Sequence, residues 1–228
     1  MSSGARFLVL GKQGAGKGTQ AERIARHYRV PHISTGDMFR AAAAADTPFG
    51  RQAKDYMGRG ELVPDEVVIG VVAERLAQGD AVENGFVLDG FPRTRFQAEE
   101  LQRLLAPTGL DGAIDIDVPT DVELRRLSGR RVCRTCGANY HVDKPQKVDW
   151  RCDKDGGEVV QREDDRPEAI SRRLELYERE TGPLIEYYDS LGVLLPIDGL
   201  GTPEEVFSRI VDAVEAKRRF RSPAAEAG

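Results

Sequence analysis

The chain is short of the residues that staple or anchor a protein. Of 228 residues only three are cysteine and one is tryptophan, and Phe, Trp and Tyr together make up 7%. An odd cysteine count is a poor basis for a disulfide framework. No apolar stretch approaches the roughly 20 residues that span a bilayer, so no membrane partner is expected. Met1-Ser2-Ser3-Gly4-Ala5 has no secretory pattern, and the expected location is the cytoplasm. Positive charge is not in excess: 33 Lys and Arg face 38 Asp and Glu, a net charge of −5. With no basic–aromatic stripe, that balance argues against nucleic-acid binding. No Asn-Lys-x-Asp element for guanine occurs, and no repeat at solenoid spacing.

What is present begins at the first apolar run, Phe7-Leu8-Val9-Leu10. It leads directly into Gly11-Lys-Gln-Gly-Ala-Gly-Lys-Gly-Thr19. A buried strand thus enters a loop too glycine-rich to carry side chains over its inner face, and a helix opens near Lys17. Inward N–H groups and a helix N-terminus make a concave anion site. Lys17 adds a mobile ammonium for the outer phosphates. The spacing is G-x-x-x-x-G-K, but Gly18 stands where the general motif has Ser or Thr. The hydroxyl comes one residue later, at Thr19, which leaves open the group that helps hold Mg²⁺.

Apolar runs then alternate with helical patterns. Strands are expected at Arg6–Leu10, Pro31–Ser34, Gly85–Leu88, Ala113–Val118 and Val193–Ile197. Helices are expected at Lys17–His27, Gly36–Ala45, Phe49–Arg59, Asp65–Gln78, Arg95–Leu105, Asp121–Gly129, Glu168–Leu191 and Pro203–Arg219. Gly182-Pro183 should kink the long late helix. Such alternation gives a parallel sheet covered on both faces, with ligands beyond the carboxyl ends of the strands. The glycine loop, Ser34-Thr35 and Asp89 all fall at such ends.

Two stretches interrupt the alternation. Residues 35–63 carry two helical segments with no strand between them. Residues 131–165 have almost no helical period and are too long for a structureless loop, so something else must order them. All three cysteines lie there, as Cys133-x₂-Cys136-x₁₅-Cys152-x₂-Asp155. Each pair is a two-ligand turn closed by glycine. Thiolate and carboxylate together suit tetrahedral Zn²⁺, and four protein ligands leave no open position, so the metal would be structural. The alternative is three incidental reduced cysteines. His141 fits neither turn and reads as a strand residue. The last residues, 222–228, read as a frayed tail.

The glycine loop, Ser34-Thr35-Gly36-Asp37-Met38 and Asp89-Gly90-Phe91-Pro92-Arg93 together resemble the adenylate kinase family, over nearly the whole chain. The long insertion resembles its long-lid type, and the Cys₃Asp pattern its zinc-bearing subgroup. The resemblance implies an α/β P-loop nucleoside monophosphate kinase fold: a five-stranded parallel sheet between helices, with two mobile insertions. Residues 1–33, 64–128 and 166–228 would form the core, 34–63 an AMP-binding insertion and 129–165 the lid. It further implies that Gly14, Ala15, Gly16, Lys17, Gly18 and Thr19 hold the ATP phosphates. Arg130, Asn139, Tyr140 and the main chain of Gly201 would also face ATP. Thr35, Arg40, Glu61, Leu62, Val63, Gly90, Phe91, Pro92 and Arg93 would bind AMP, and Gln97 would read its adenine. Arg162 and Arg173 would grip the phosphates in flight, and Asp164 and Asp165 would hold neighbouring arginines by ion pairs.

The residues make chemical sense without the family. Phosphoryl transfer asks for alignment and for positive charge around equatorial oxygens. Lys17, Arg40, Arg93, Arg130, Arg162 and Arg173 supply that charge, and Asp89 is placed to orient Mg²⁺ through its water shell. The expected activity is ATP + AMP ⇌ 2 ADP, and the resemblance implies a monomer. A kinase of other base specificity, such as a UMP/CMP kinase, is the near rival. Gln13, where many relatives have Pro, is a departure from the pattern. A P-loop GTPase and a zinc-ribbon nucleic-acid module are the readings from other classes.

Overall fold

The computed structural model describes residues 4–221; the expected frayed tail, 222–228, lies outside the described residues. A five-stranded sheet runs through the centre in the order β2-β3-β1-β4-β8, every pair parallel. Its strands are β1 (Ala5–Leu10), β2 (His32–Ser34), β3 (Gly85–Asp89), β4 (Gly112–Asp117) and β8 (Leu194–Asp198). Around them are α1 (Lys17–Tyr28), α2 (Thr35–Ala44), α3 (Pro48–Gly58), α4 (Asp65–Leu76), α5 (Gly79–Asn84), α6 (Arg95–Leu105), α7 (Thr120–Gly129), α8 (Pro167–Leu176), α9 (Pro183–Ser190) and α10 (Pro203–Arg221).

The two-residue period of a strand explains the two cores. In β1, Leu8 and Leu10 pack with Phe39 of α2, Val68 and Val72 of α4, Leu101 of α6 and Leu184 of α9. Phe7 and Val9 point the other way, onto Ile24 of α1 and Val206 and Ile210 of α10. Both faces are dry, so β1 reads as an unbroken apolar run. Register brings the carboxyl ends together: Val9 pairs with Asp89, Ser34 with Asp89, and Leu10 with Asp115.

The long helix expected over 168–191 is interrupted. A π-helical turn, Tyr177–Thr181, separates α8 from α9, and the Gly182 N–H reaches the Tyr177 carbonyl at 2.7 Å. Pro183 has no N–H to continue the ordinary ladder, which accounts for the break. Helix α5 is an addition to the expected elements. Its six residues bury only Ala81, too little for a periodic signal.

The stretch expected to form a lid contains a small antiparallel sheet, β6-β5-β7, of Asn139–His141, Arg130–Cys133 and Val159–Val160. Its buried cluster is small, Cys133, Cys152 and Val159, and Val132 of β5 is buried beside them in the sheet. His141 lies in β6 as a strand residue, apart from the cysteine group. Helix α7 passes straight into β5 at Gly129-Arg130, where a side chain on Gly129 would collide with the His141 ring.

Candidate active site

The glycine loop has the conformation its sequence demands. Gly11, Gly14 and Gly16 have φ of 130°, 86° and 103°, a region closed to most side chains. A Cβ on Gly11 would stand 2.4 Å from the Ile116 carbonyl. Gly16 caps α1 without a side-chain bond, and the first turn holds no acid. The α1 N-terminus therefore keeps its N–H groups and partial positive charge for an anion. Lys17 Nζ meanwhile donates to the carbonyls of Gly11 and Lys12, at 2.7 Å each.

A cleft opens beside this loop at the carboxyl ends of β1, β2 and β3. Its lining includes Lys17, Thr35, Arg40, Glu61, Leu62, Val63, Gly90, Pro92, Arg93, Gln97, Asp164 and Arg173. Thr35 Oγ1 and Arg93 Nε both donate to the Gly90 carbonyl, at 2.9 and 2.8 Å, which joins the ends of β2 and β3. Ser34 accepts from the Asp37 N–H and starts α2, and Asp37 pairs with Arg40. Phe91 differs from its neighbours: it is 1% exposed, its ring lost in the core, so only its main chain can serve the cleft.

Burial and mutual repulsion mark the cations. Burial, with Arg93, Arg173 and Arg130 nearby, pushes Lys17 down to about 8 despite Asp89. Burial, with Arg173 and Arg40, takes Arg93 down to about 10. Burial, with Arg40 and Arg130, takes Arg162 down to about 10. The Arg162 Nε is buried with no hydrogen-bond partner among the described residues. Such crowding is costly without a polyanion and favourable with one. Two acids steady it: Asp164 Oδ2 lies 3.1 Å from Arg173, and Asp165 holds both Arg173 and Arg130.

Several site residues escaped the sequence reading. Arg126, one helical turn before Arg130, reaches the carbonyls of Ala15 and Gly199 at 3.2 and 3.3 Å, bridging the glycine loop to the loop after β8. Its place in the last turn of the expected helix, four residues before Arg130, was the available signal. His32 Nε2 lies 3.6 Å from Asp89 Oδ2. Burial would lower His32, but the Asp89 carboxylate outweighs it and the histidine is raised. Asp65 accepts from both Thr94 and Gln97, at 2.7 Å each.

The expected ATP-side residues are more dispersed. Asn139 and Tyr140 lie on β6, away from the cleft lining, as does Gly201 in the loop after β8. The Tyr140 hydroxyl is engaged elsewhere: it donates to Cys152 Sγ at 3.3 Å and accepts from the Asp153 N–H at 2.7 Å.

Cys133, Cys136, Cys152 and Asp155 converge, their ligand atoms all within 4.8 Å of one another. Main-chain N–H groups of Thr135 and Lys154 point at Cys133 and Cys152 sulfur, at 3.3 and 3.4 Å. The Gly157 N–H, with the cysteines, holds Asp155 down to about 2. Three sulfurs, one ionised carboxylate and N–H donors aimed at sulfur make a donor set suited to a soft divalent ion.

With this geometry in place, known proteins agree with it. A family model described as "Adenylate kinase" matches residues 9–193. The chain belongs to the adenylate kinase family. It is 52% identical to the adenylate kinase of Thermodesulfovibrio yellowstonii, over 93% of this chain and 100% of that one. It is 54% identical to that of Carboxydothermus hydrogenoformans, over 92% and 99%. It is 50% identical to that of Bacillus subtilis, over 90% and 96%. The central parallel sheet between helices is the P-loop nucleoside monophosphate kinase fold of that family.

Proposed function

We propose that this chain catalyses reversible phosphoryl transfer, ATP + AMP ⇌ 2 ADP, at the cleft beside the glycine loop. An AMP phosphate oxygen attacks the γ-phosphorus of ATP. A new P–O bond forms as the bond to the β,γ-bridging oxygen breaks, and ADP leaves with that electron pair. The observation that carries this reading is the convergence of six cations on one group of strand ends. Lys17, Arg40, Arg93, Arg130, Arg162 and Arg173 influence one another's protonation there.

Roles follow from position. The N–H groups of Gly14 to Thr19 and Lys17 receive the ATP phosphates, and Thr19 supplies the motif's hydroxyl. Thr35, Arg40, Glu61, Leu62, Val63 and Gly90 to Arg93 receive AMP, and Gln97 reads its base. Arg93, Arg130, Arg162 and Arg173 hold the phosphoryl group in transit by planar, bidentate contacts. Asp89 would orient the water shell of the Mg²⁺ that enters with ATP, and that ion would supply charge neutralisation of the phosphates.

Water is a competing acceptor, so the site must shut before transfer. The 34–63 insertion closes over AMP and the 129–165 lid over ATP, bringing Asn139 and Tyr140 to the nucleotide, while the main chain of Gly201 meets the ATP base from the core. Cys133, Cys136, Cys152 and Asp155 would hold a structural Zn²⁺, which would stiffen the lid so that it moves as one body. Membership of the adenylate kinase family supports the reading of a cytoplasmic monomer acting on ATP, AMP and ADP.

A coupled assay with AMP, CMP, UMP and GMP tests the reading. AMP is expected to lead by kcat/KM, and a pyrimidine nucleotide in front would overturn the assignment. A two-headed ATP–AMP analogue should contact Arg93 and Arg173 together.

A further inference from the structure

Gln97 is 2% exposed, and both ends of its amide are already held. Its Oε1 accepts the Arg93 N–H at 2.8 Å, and its Nε2 donates to Asp65 Oδ1 at 2.7 Å. Asp65 is itself fixed, since Oδ2 accepts the Thr94 hydroxyl at 2.7 Å. Neither partner of the amide is ambiguous: a main-chain N–H only donates, and a carboxylate only accepts. Turning the amide over would set its NH₂ against the Arg93 N–H and its oxygen against Asp65. The orientation, which most glutamines leave open, is dictated here. An amide has two hydrogens and two oxygen lone pairs. One of each remains for a ligand in the cleft that Gln97 lines.

We propose that Asp65 is a specificity-determining positioning residue. By locking the Gln97 amide, it makes the monophosphate site accept a 6-aminopurine and reject a 6-oxopurine. This rests on the reading that Gln97 meets the base of AMP. Adenine presents an acceptor, N1, beside a donor, the 6-amino group. Hypoxanthine and guanine present the reverse, an N1–H donor beside an O6 acceptor. The free N–H and lone pair of a locked amide match the first order and oppose the second. An amide free to turn would serve both bases. Asp65 acts only through Gln97.

AMP and IMP differ only at position 6 and in the N1 proton, so the AMP:IMP ratio of kcat/KM is the readout. In Asp65→Ala that ratio falls by about tenfold, the size expected when a charge-assisted bond is lost. The change appears in KM for the monophosphate, while KM for ATP stays within about twofold. In Asp65→Asn, whose amide oxygen still accepts from Gln97 Nε2, the ratio returns to within about threefold of the parent. An unchanged ratio in folded Asp65→Ala overturns the proposal, and so does equal damage with AMP and IMP. Because Asp65 also opens α4, NMR of the unaltered protein provides a second test. Without nucleotide, nuclear Overhauser contacts should place the Gln97 NH₂ beside the Asp65 β-protons and not beside the Arg93 N–H, and an amide that shows both contacts overturns the proposal. Gln97→Leu separates the two levels. A ratio that survives Gln97→Leu means that Gln97 does not read the base. A ratio that collapses there but holds in Asp65→Ala leaves the base reading intact and removes the role of Asp65.

Discussion

Arg130 and Asp165 close the two ends of the lid on each other. Arg130 is the first residue beyond α7, and Asp165 ends the 3₁₀ turn by which the chain returns to α8. The guanidinium meets the carboxylate with both oxygens engaged, Nε to Oδ2 at 2.7 Å, and the Asp165 side chain is fully buried. The same carboxylate lies 3.3 Å from Arg173. One acid therefore aims two of the proposed catalytic arginines. Asp165→Ala should leave both cations buried without it, costing about 3–5 kcal/mol of stability. Denaturant unfolding checks that figure. The kcat should fall with it, and a variant of near-normal stability and turnover would show that the pair is dispensable.

Lys17 makes a prediction about pH. Burial lowers its pKa to about 8, so the ammonium needed for phosphate is lost above that pH in the free enzyme. A bound triphosphate favours the charged form and holds the proton. The kcat/KM for ATP should therefore be flat below about pH 8 and decline above it, while kcat declines only at higher pH. A pH–rate profile at saturating AMP reads this directly. Lys17→Met should lose most of the turnover at every pH.

The centre of the sheet was legible in the sequence because β1, β3 and β4 are buried on both faces. Phe7 to Leu10 and Phe86 to Leu88 are uninterrupted apolar runs, and both end at chemistry-bearing residues. The phosphate loop was legible because its glycines have a single conformational reason to be there. The cysteine spacing likewise foretold the cluster that includes Asp155. What escaped depends on distance in the chain. Nothing local tells Asp65 that it will accept a bond from Gln97, 32 residues on, or Arg126 that it will reach Ala15, 111 residues back. Helix α5 escaped because six residues with one buried alanine carry no period.

The lid's cysteine cluster predicts a metal-dependent melting temperature. Its sheet buries little beyond Cys133, Cys152 and Val159, too small an apolar centre to order about 35 residues alone. One zinc per chain is expected by elemental analysis. Removal by chelator, or Cys133→Ala, should lower Tm by several degrees, yet leave most of the turnover at mild temperature. Equal loss of both at every temperature would mean that the metal is not purely structural.

Glu123 on α7 is an acid in the wrong place for charge. It is 0% exposed, and neither carboxylate oxygen has a hydrogen-bond partner among the described residues. Burial raises it to about 7, against the opposing pull of Lys12 and Lys17. Lys12 is already taken by Glu178, at 2.8 Å. An acid whose folded pKa lies above its unfolded value binds more protons in the native state. Its burial is tolerated below the unfolded pKa, near 4.3, and becomes destabilising as pH rises through about 7. Glu123→Gln removes the charge and keeps the shape. The variant should melt close to the parent at pH 4 and above it at pH 8.5, with the gap opening between those limits. Calorimetry at matched ionic strength reads the difference. A variant less stable than the parent at pH 8.5 would mean that the ionised carboxylate is paired, with Lys12 as its partner.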